Sequence, residues 1–400
     1  MNVKFQRVET RPAGVNVTAR LLSPSVAWLG RFVRDLVAHL PGGRRLRAEL
    51  EQSRRQRDVL HERLNRSEAQ RDALRRRLEA RRQRARAIQP DEAVLEHILP
   101  LRHAAMLAAN HDGRHDRESA FAARSSSYRD ALADVDRTPL HAERVDVAGL
   151  TWWVPVEADD TEGVGHRLRV RRRLPLAEIL ETRELAVGRA MIDIGANVGT
   201  TSIPRALLGD FNWVYAIEPD PLNYSCLVRN VVSNGVRGLV LPDRVAIGDS
   251  NGQMTMHVRR SGTHHLVTRG ENVSEGERMV VPCLTLDTWS ERMGIDLSAV
   301  GFIKSDTQGW DARVLAGAER ALAQRHIAWQ IEFSPPMLER SGTSVDELFR
   351  LLEAHFTHFI DLRGEAGKRV RRTEELRAAL AGIGSAHRRY TNLLLYNAST

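Results

Sequence analysis

The sequence predicts an α/β protein: a doubly wound, mostly parallel sheet behind a long helical N-terminal extension. Three observations predict it. The short run Met191 to Ile194 breaks into the glycine-spaced turn Gly195-Ala196-Asn197-Val198-Gly199, and residues 201–208 can then begin a helix. From there to the C-terminus, apolar runs of strand length alternate with helical stretches, the pattern of a parallel sheet covered on both faces. Far upstream, residues 44–86 carry leucines on a 14-residue repeat with no proline or glycine.

Taken in order, residues 1–22 read as irregular. Ser23-Pro24-Ser25 opens a helix whose Val26, Leu29, Phe32, Val33, Leu36, Val37 and Leu40 recur at helical spacing, and Pro41-Gly42-Gly43 ends it. With Trp28 and its arginines, residues 24–40 have the form of a peripheral membrane helix. Such a stripe more commonly packs on a neighbouring helix. In the arm at 44–88, Leu46, Leu50, Leu60, Leu64, Leu74 and Leu78 fill the a and d sites of every other heptad. Ser53, Arg57, Ser67 and Arg71 occupy the skipped sites. That is a coiled coil weakened by polar a/d positions, and it makes a homo-oligomer the expected state.

Residues 89–144 read as a helical linker, with a polar break from Asn110 to Arg117 that carries His111 and His115 around Gly113. Ala120 to Ala133 continues as helix. A hairpin follows, Val145 to Val147 and Leu150 to Val154 around Ala148-Gly149. Residues 145–400 read as the main domain. Leu176 to Leu185 is a helix leading to the first core strand at Met191. The other strands are expected at 213–217, 239–246, 301–306, 327–333, 355–361 and 391–396. Residues 252–286 interrupt the alternation as an inserted hairpin.

Composition narrows the function. Apolar content of 42% supports a substantial core, while 5% aromatics leave little for stacking on nucleic-acid bases. The arm from 44 to 86 holds 16 arginines against seven acids, a balance of +9 in a chain of net charge +8, so the remainder is near −1. The basic character belongs to the arm, whose bland reading is a solvated coiled-coil face, and nucleic acid is not an expected partner. Cys226 and Cys283 are too few for a disulfide framework or a cysteine zinc site. No other metal-ligand spacing is seen. Met1 to Val15 lacks the apolar core of a secretory signal, and no run of eighteen apolar residues occurs. A cytoplasmic protein is expected, with contact at the inner face of the membrane as the one variation.

The turn carries the chemistry. Gly195 and Gly199 can adopt backbone angles other residues avoid, and they let a ligand approach the main chain. The helix start is expected to offer free N–H groups. Glu218 ends the next apolar run, 23 residues past Gly195, where a carboxylate can take both hydroxyls of a ribose. A dinucleotide fingerprint is G-x-G-x-x-G; here the spacing is G-x-N-x-G, and Asp193 stands two residues before it. That acid repels a pyrophosphate and suits a cationic amino-acid head, such as the ammonium of S-adenosylmethionine.

Further motifs join these: Val214-Tyr215-Ala216-Ile217-Glu218-Pro219-Asp220-Pro221-Leu222-Asn223, Asn230, Asn234-Gly235, Val245-Ala246-Ile247-Gly248-Asp249, and Ile303-Lys304-Ser305-Asp306-Thr307-Gln308-Gly309. As a set they resemble the FkbM family of S-adenosylmethionine-dependent methyltransferases over roughly residues 145–400. The resemblance implies a class I methyltransferase fold and O-methylation of a glycan, polyketide or related small molecule. Ser305, where many members carry an aliphatic residue, and Trp310-Asp311, where the family often has Glu second, depart from the pattern and are expected to bear on the acceptor side. The cofactor residues are then Asp193, Gly195, Asn197, Gly199, Thr200, Glu218 and Asp306. Asp193 is expected to order the turn and to face the ammonium, directly or through water. Candidate bases for the acceptor hydroxyl are Asp306, Glu332, His264 and His265. Lys304 shares the strand face of Asp306 and can pair with an acid.

Two other readings stand beside this one. A nicotinamide-dependent oxidoreductase is disfavoured by Asp193, Asn197 and the missing third glycine. A scaffold that binds an anionic polymer or a partner through its arm is disfavoured by the intact cofactor signature. The arm yields its own expectation: sedimentation equilibrium of the full chain should give a multiple of the 45.0 kDa protomer, and a strict monomer at tens of micromolar removes the coiled-coil assembly.

Overall fold

The computed structural model describes residues 99–106, 112–135, 141–156, 182, 190–257, 265–266, 278–363, 369–385 and 389–397. The helix expected at 24–40, the arm at 44–88, nearly all of the helix at 176–185, and His264 lie outside the described residues. The chain divides into two units, Met1–Ala87 and Ile88–Thr400, and the description below concerns the second.

Helices α1 (Asp112–Arg124) and α2 (Ser126–Asp134) meet at Ser125, whose hydroxyl caps α2 by accepting from the Tyr128 N–H. Of the break expected from Asn110 to Arg117, residues 112–117 are helical: α1 starts at Asp112 and runs through Gly113 and His115. A glycine in the first turn costs about 1 kcal/mol. Against that stand the burial of Phe121 and Tyr128 and the bond from Arg117 Nη1 to the Gly238 carbonyl at 2.8 Å. These helices are part of the domain and not a linker, because Phe121 and Tyr128 lie in the same apolar cluster as Ile192 and Ile303.

Strands β1 (Ala142–Val147) and β2 (Leu150–Pro155) form the expected hairpin. Ala148 and Gly149 both have positive φ, 55° and 70°, the two-residue turn that matches strand twist. Its outer edge is paired by side chains. Asn234 Oδ1 accepts from Thr151 N at 3.0 Å while its Nδ2 donates to Thr151 O at 2.7 Å. Asn230 does the same for Trp153 and also donates to Val198 O at 2.8 Å. Two amides thus stand in for a missing strand and clip the hairpin to the glycine turn.

The main sheet uses β3 (Ala190–Ile194), β4 (Trp213–Ile217) and β5 (Val240–Asp243), with helix α3 (Ser202–Leu208) after β3 and α4 (Pro221–Ser233) after β4. Asp220 caps α4 and Pro221 supplies its first turn. An insertion follows: β6 (Ala246–Ile247), β7 (Gly252–His257), β8 (His265–Leu266) and β9 (Arg278–Leu284) form a separate sheet in the order β6-β9-β7-β8. The run expected as one strand at 239–246 is therefore two. It ends in the main sheet at Asp243, whose carboxylate accepts from the next N–H, Arg244, at 3.1 Å. Helix α5 (Leu286–Met293) leads to β10 (Val300–Ser305), and β11 (Ala328–Phe333), β12 (His358–Asp361), β13 (Val370–Arg372) and β14 (Thr391–Tyr396) complete the set. The short edge strand β13 escaped the sequence pattern, and β12 starts at His358, later than expected, because the preceding helix runs to His355.

The eight strands lie in the order β13-β12-β14-β11-β10-β3-β4-β5. β11, β10, β3, β4 and β5 are parallel, and β14 runs antiparallel between β11 and β12. This is the class I methyltransferase topology. Its switch point falls between β3 and β10, where open α/β sheets bind ligands. Alternate residues of each strand enter different cores: Ile192, Ile303 and Ile331 one, Met191, Phe302 and Ala328 the other.

The asparagine clip carries a stability prediction. Asn230→Ala strands the buried Val198 carbonyl and the partly buried backbone groups of Trp153, an unmade buried bond costing about 1–3 kcal/mol. Urea unfolding should show a loss of about 3 kcal/mol or more, and an unchanged midpoint would mean that the clip contributes nothing.

Candidate active site

The register places the site residues. Asp193 pairs with Ala216 on one side and Lys304 on the other, and Lys304 pairs with Gln330. Two residues further along each strand stand Glu218, Gly195, Asp306 and Glu332, in neighbouring order across the switch point. The ladder continues into this row, since Gly195 N donates to Ile217 O at 2.9 Å and Asp306 N to Ile194 O at 3.0 Å. Three carboxyls therefore line one rim, with a residue lacking a side chain among them. Gly195 has φ 78°, and a Cβ there would sit 2.1 Å from the Asp306 carbonyl oxygen. Glycine is required at that crossing.

The turn's own amides are occupied. Gly195 and Ala196 donate to Ile217 O, Gly199 donates to Ala196 O, Asn197 to Glu218 Oε2 at 2.8 Å, and Val198 to Asn197 Oδ1. Asn197 holds φ 53°, a left-handed conformation that asparagine tolerates. The N–H groups of 195–199 are therefore committed within the turn, while the helix start lies further on, at Thr201, whose side chain makes no capping bond. Thr200 is buried. The turn itself thus offers no free amide.

Each acid has its own setting. Asp193 is fully buried; Ser202 Oγ donates to Oδ2 at 2.6 Å and Lys304 Nζ lies 3.4 Å from Oδ1. It orders the strand end, with each oxygen already engaged once inside the protein. Lys304 also reaches Asp306 Oδ2 at 3.3 Å. Burial alone would lower the Lys304 pKa, yet Asp193 and Asp306 outweigh it and hold the ammonium above its ordinary value. Asp306 remains 34% exposed and open to a ligand.

Glu218 is 6% exposed, with Oε1 accepting from Asp220 N at 3.0 Å and Oε2 from Asn197 N. Burial pushes its pKa up to about 7, although the two backbone amides pull the other way. Each oxygen keeps a second lone pair for a hydroxyl. Glu332 is equally buried, and Gln308 Nε2 approaches its Oε2 at 3.3 Å. Burial raises its pKa well above the usual range, with Asp306 and Asp311 adding to the rise and Lys304 and Arg363 opposing it.

Sequence reasoning missed several residues here. Ser305 and Asp311 are both buried, and Ser305 Oγ donates to Asp311 Oδ1 at 2.6 Å. The two departures from the family pattern are partners to each other, lying beneath the site and not on an acceptor surface. Burial pushes the Asp311 pKa up to about 7. Gln308 gave one signal, its place before Gly309 in the motif; its φ of 56° appears only in the structure. Asp243 ends β5 and accepts from Ser125, Ser127 and Trp289, which seals that end of the site with α1–α2 and α5. His265 contributes backbone to β8, its side chain lies outside the described residues, and no histidine is brought to the rim among them. No cluster of three or more metal-ligating side chains occurs among the described residues.

Comparison with known proteins agrees with this geometry. The family model for the methyltransferase FkbM domain matches residues 193–359, from Asp193 on β3 to Phe359 on β12. Residues 193–359 are thus the part of the chain that carries the likeness to the FkbM methyltransferase domain. The 31-O-demethyl-FK506 methyltransferase FkbM of Streptomyces tacrolimicus is 30% identical over an alignment of 166 residues, taking in 34% of this chain and 62% of that protein. The match therefore spans less than two thirds of that relative. Among solved structures, a methyltransferase FkbM from Methylobacillus flagellatus KT is similar at 17% identity over 60% of each chain, TM-score 0.33. TYW2 of M. jannaschii in complex with AdoMet is similar at 11% identity over 64% of this chain and 86% of that one, TM-score 0.30. The fold assignment rests on the strand order and not on these two likenesses.

S-adenosylmethionine is the cofactor of the FkbM family, and the rim of this FkbM domain fits it. A carboxylate row without free amides suits a ligand that offers hydroxyls and an ammonium and carries no phosphate. Glu218 would take the ribose hydroxyls, and Asp306, 34% exposed, would be the carboxylate within reach of the ammonium.

The raised pKa of Glu218 makes affinity depend on pH. The carboxylate accepts from hydroxyls through both oxygens with its full charge, whereas the neutral acid gives one oxygen to its proton and loses the charge-assisted bonds. Binding is therefore full above a pKa of about 7 and lost as pH falls through it. Affinity for S-adenosylhomocysteine should fall about ten-fold from pH 8 to pH 6, and this dependence should vanish in Glu218→Gln. A flat titration in the parent protein would remove the ribose role.

Proposed function

We propose that the chain is an S-adenosylmethionine-dependent methyltransferase that methylates a hydroxyl group on a glycan, polyketide or related metabolite. The observation that supports it most is the rim of Glu218, Gly195, Asp306 and Glu332 at the switch point, with the amides of 195–199 already committed. A pyrophosphate finds no free amide at 195–199 and meets three carboxyls, which disfavours a dinucleotide. When bound, the cofactor supplies a methyl group on a positively charged sulfur, already activated for displacement. The protein's work is then alignment, exclusion of water and removal of one proton. Lys304 fixes Asp306 from below, the asparagine clip fixes the turn, and α1–α2 cover the β5 end. Assembly through the arm and contact of residues 24–40 with a membrane surface belong to the same proposal, as ways of bringing a large acceptor to the rim. Among the described residues no helix is long and apolar enough to cross a membrane.

Isothermal titration with S-adenosylhomocysteine, with NADH as control, tests the class. Binding of the former alone in the micromolar range is expected, and Glu218→Ala should weaken it roughly ten- to a hundred-fold, the worth of a charge-assisted hydrogen bond. A folded protein that binds neither compound would overturn the proposal.

A further inference from the structure

We infer that Glu332, held by Gln308, is the group that faces the transferred methyl and takes the proton of the acceptor hydroxyl, while Asp306 serves the cofactor's ammonium. This rests on the methyltransferase reading above. Four candidate bases entered from the sequence, and the geometry separates them. Asp306 is paired with Lys304 at 3.3 Å, an ion pair that weakens it as a base. The side chains of His264 and His265 lie outside the described residues, so the comparison is between the two acids. Among the described residues Glu332 makes no ion pair; its neighbour is the Gln308 amide, which donates to Oε2 at 3.3 Å and leaves Oε1 for a substrate. Gln308 is held for this by its left-handed backbone and by Gly309, where a Cβ would sit 2.4 Å from Met337 backbone atoms.

The surroundings of Glu332 come from every side: Asp306 and Lys304 from β10 and the turn after it, Asp311 from the start of the next helix, and Arg363 from beyond β12. Burial beside two other carboxyls makes Glu332 a stronger proton acceptor than an exposed carboxylate. The chemistry balances. The acceptor oxygen forms its bond to the methyl carbon with its own electron pair. The pair of the broken carbon–sulfur bond stays on sulfur, and the hydroxyl proton passes to Glu332 and then to solvent.

The test needs no acceptor. Sinefungin places an amine where the transferred methyl stands, whereas S-adenosylhomocysteine has nothing there; both carry the amino-acid ammonium. Titrating both at pH 8 gives an affinity ratio that reads only the group at the methyl position. The parent protein should prefer sinefungin, and Glu332→Gln should cut that preference about ten-fold. Asp306→Asn should weaken both ligands together and leave the ratio in place. Gln308→Ala should lower the ratio in part, and Gln308→Glu should not restore it, since a carboxylate cannot donate to Glu332. If Glu332→Gln keeps the parent ratio, or Asp306→Asn abolishes it, the inference is overturned. If neither compound binds the parent protein, the methyltransferase reading itself has failed, a separate outcome.

Discussion

One buried ammonium ties the site together. Lys304 lies in the middle strand of the sheet, nearly inaccessible, with Asp193 on the neighbouring strand and Asp306 just beyond its own strand end. An ammonium so placed is costly to bury without partners, and removing either carboxylate leaves it undercompensated. The arrangement therefore enforces register. Slipping β3 against β10 by one residue would turn Asp193 to the opposite core and abandon Lys304. The same register brings Gly195 under the Asp306 carbonyl, so the ion pair and the glycine crossing specify one alignment by independent means.

From that alignment the roles of the acids follow. Four similar side chains, Asp193, Glu218, Asp306 and Glu332, stand within two rungs of one sheet, and their surroundings make them different. Asp193 is consumed by Ser202 and Lys304 and acts as structure. Glu218 is held by two backbone amides in a fixed orientation, poised close to neutrality. Asp306 is paired yet open. Glu332 is buried without a close cation, the setting that raises basicity. The committed amides complete the separation, since a turn whose N–H groups already have acceptors cannot serve as an anion site.

Much of this was legible in the sequence, and the rest was hidden for physical reasons. The strand–turn–helix around Gly195 and the acid at Glu218 are local patterns, and the alternation that followed gave the sheet class. The Ala148-Gly149 turn was legible because only a few residues form it. What the sequence concealed was partnership at long range. Asn230 and Asn234 were motif residues without a role until β2 was seen against α4. Asp193 seemed to face a ligand because its strand position was known and Lys304, 111 residues away, was not yet beside it. The break predicted at Gly113 failed because helix propensity is weaker than the burial of Phe121 and Tyr128. The linker reading failed for the same reason, since residues 112–135 have polar faces and only a few large anchors.

Ser305 and Asp311 show how a departure from a family pattern is absorbed. A hydroxyl in a strand buried on both faces, or a carboxyl with no exposure at the start of a short helix, would each be destabilising alone. Together they form a hydrogen bond of 2.6 Å, and each supplies the partner the other lacks. The pair adds a carboxyl beneath Asp306 and Glu332, where Lys304 and Arg363 bring opposing positive charge. Burial and like charge favour the neutral form of such a group, as the upward shift of Asp311 to about 7 reflects. Lys304 is anchored to Asp193 and Asp306 and cannot also neutralise this third carboxyl. A buried pair beneath the rim therefore reaches Glu332 through electrostatics, since Asp311 adds to the rise of its pKa.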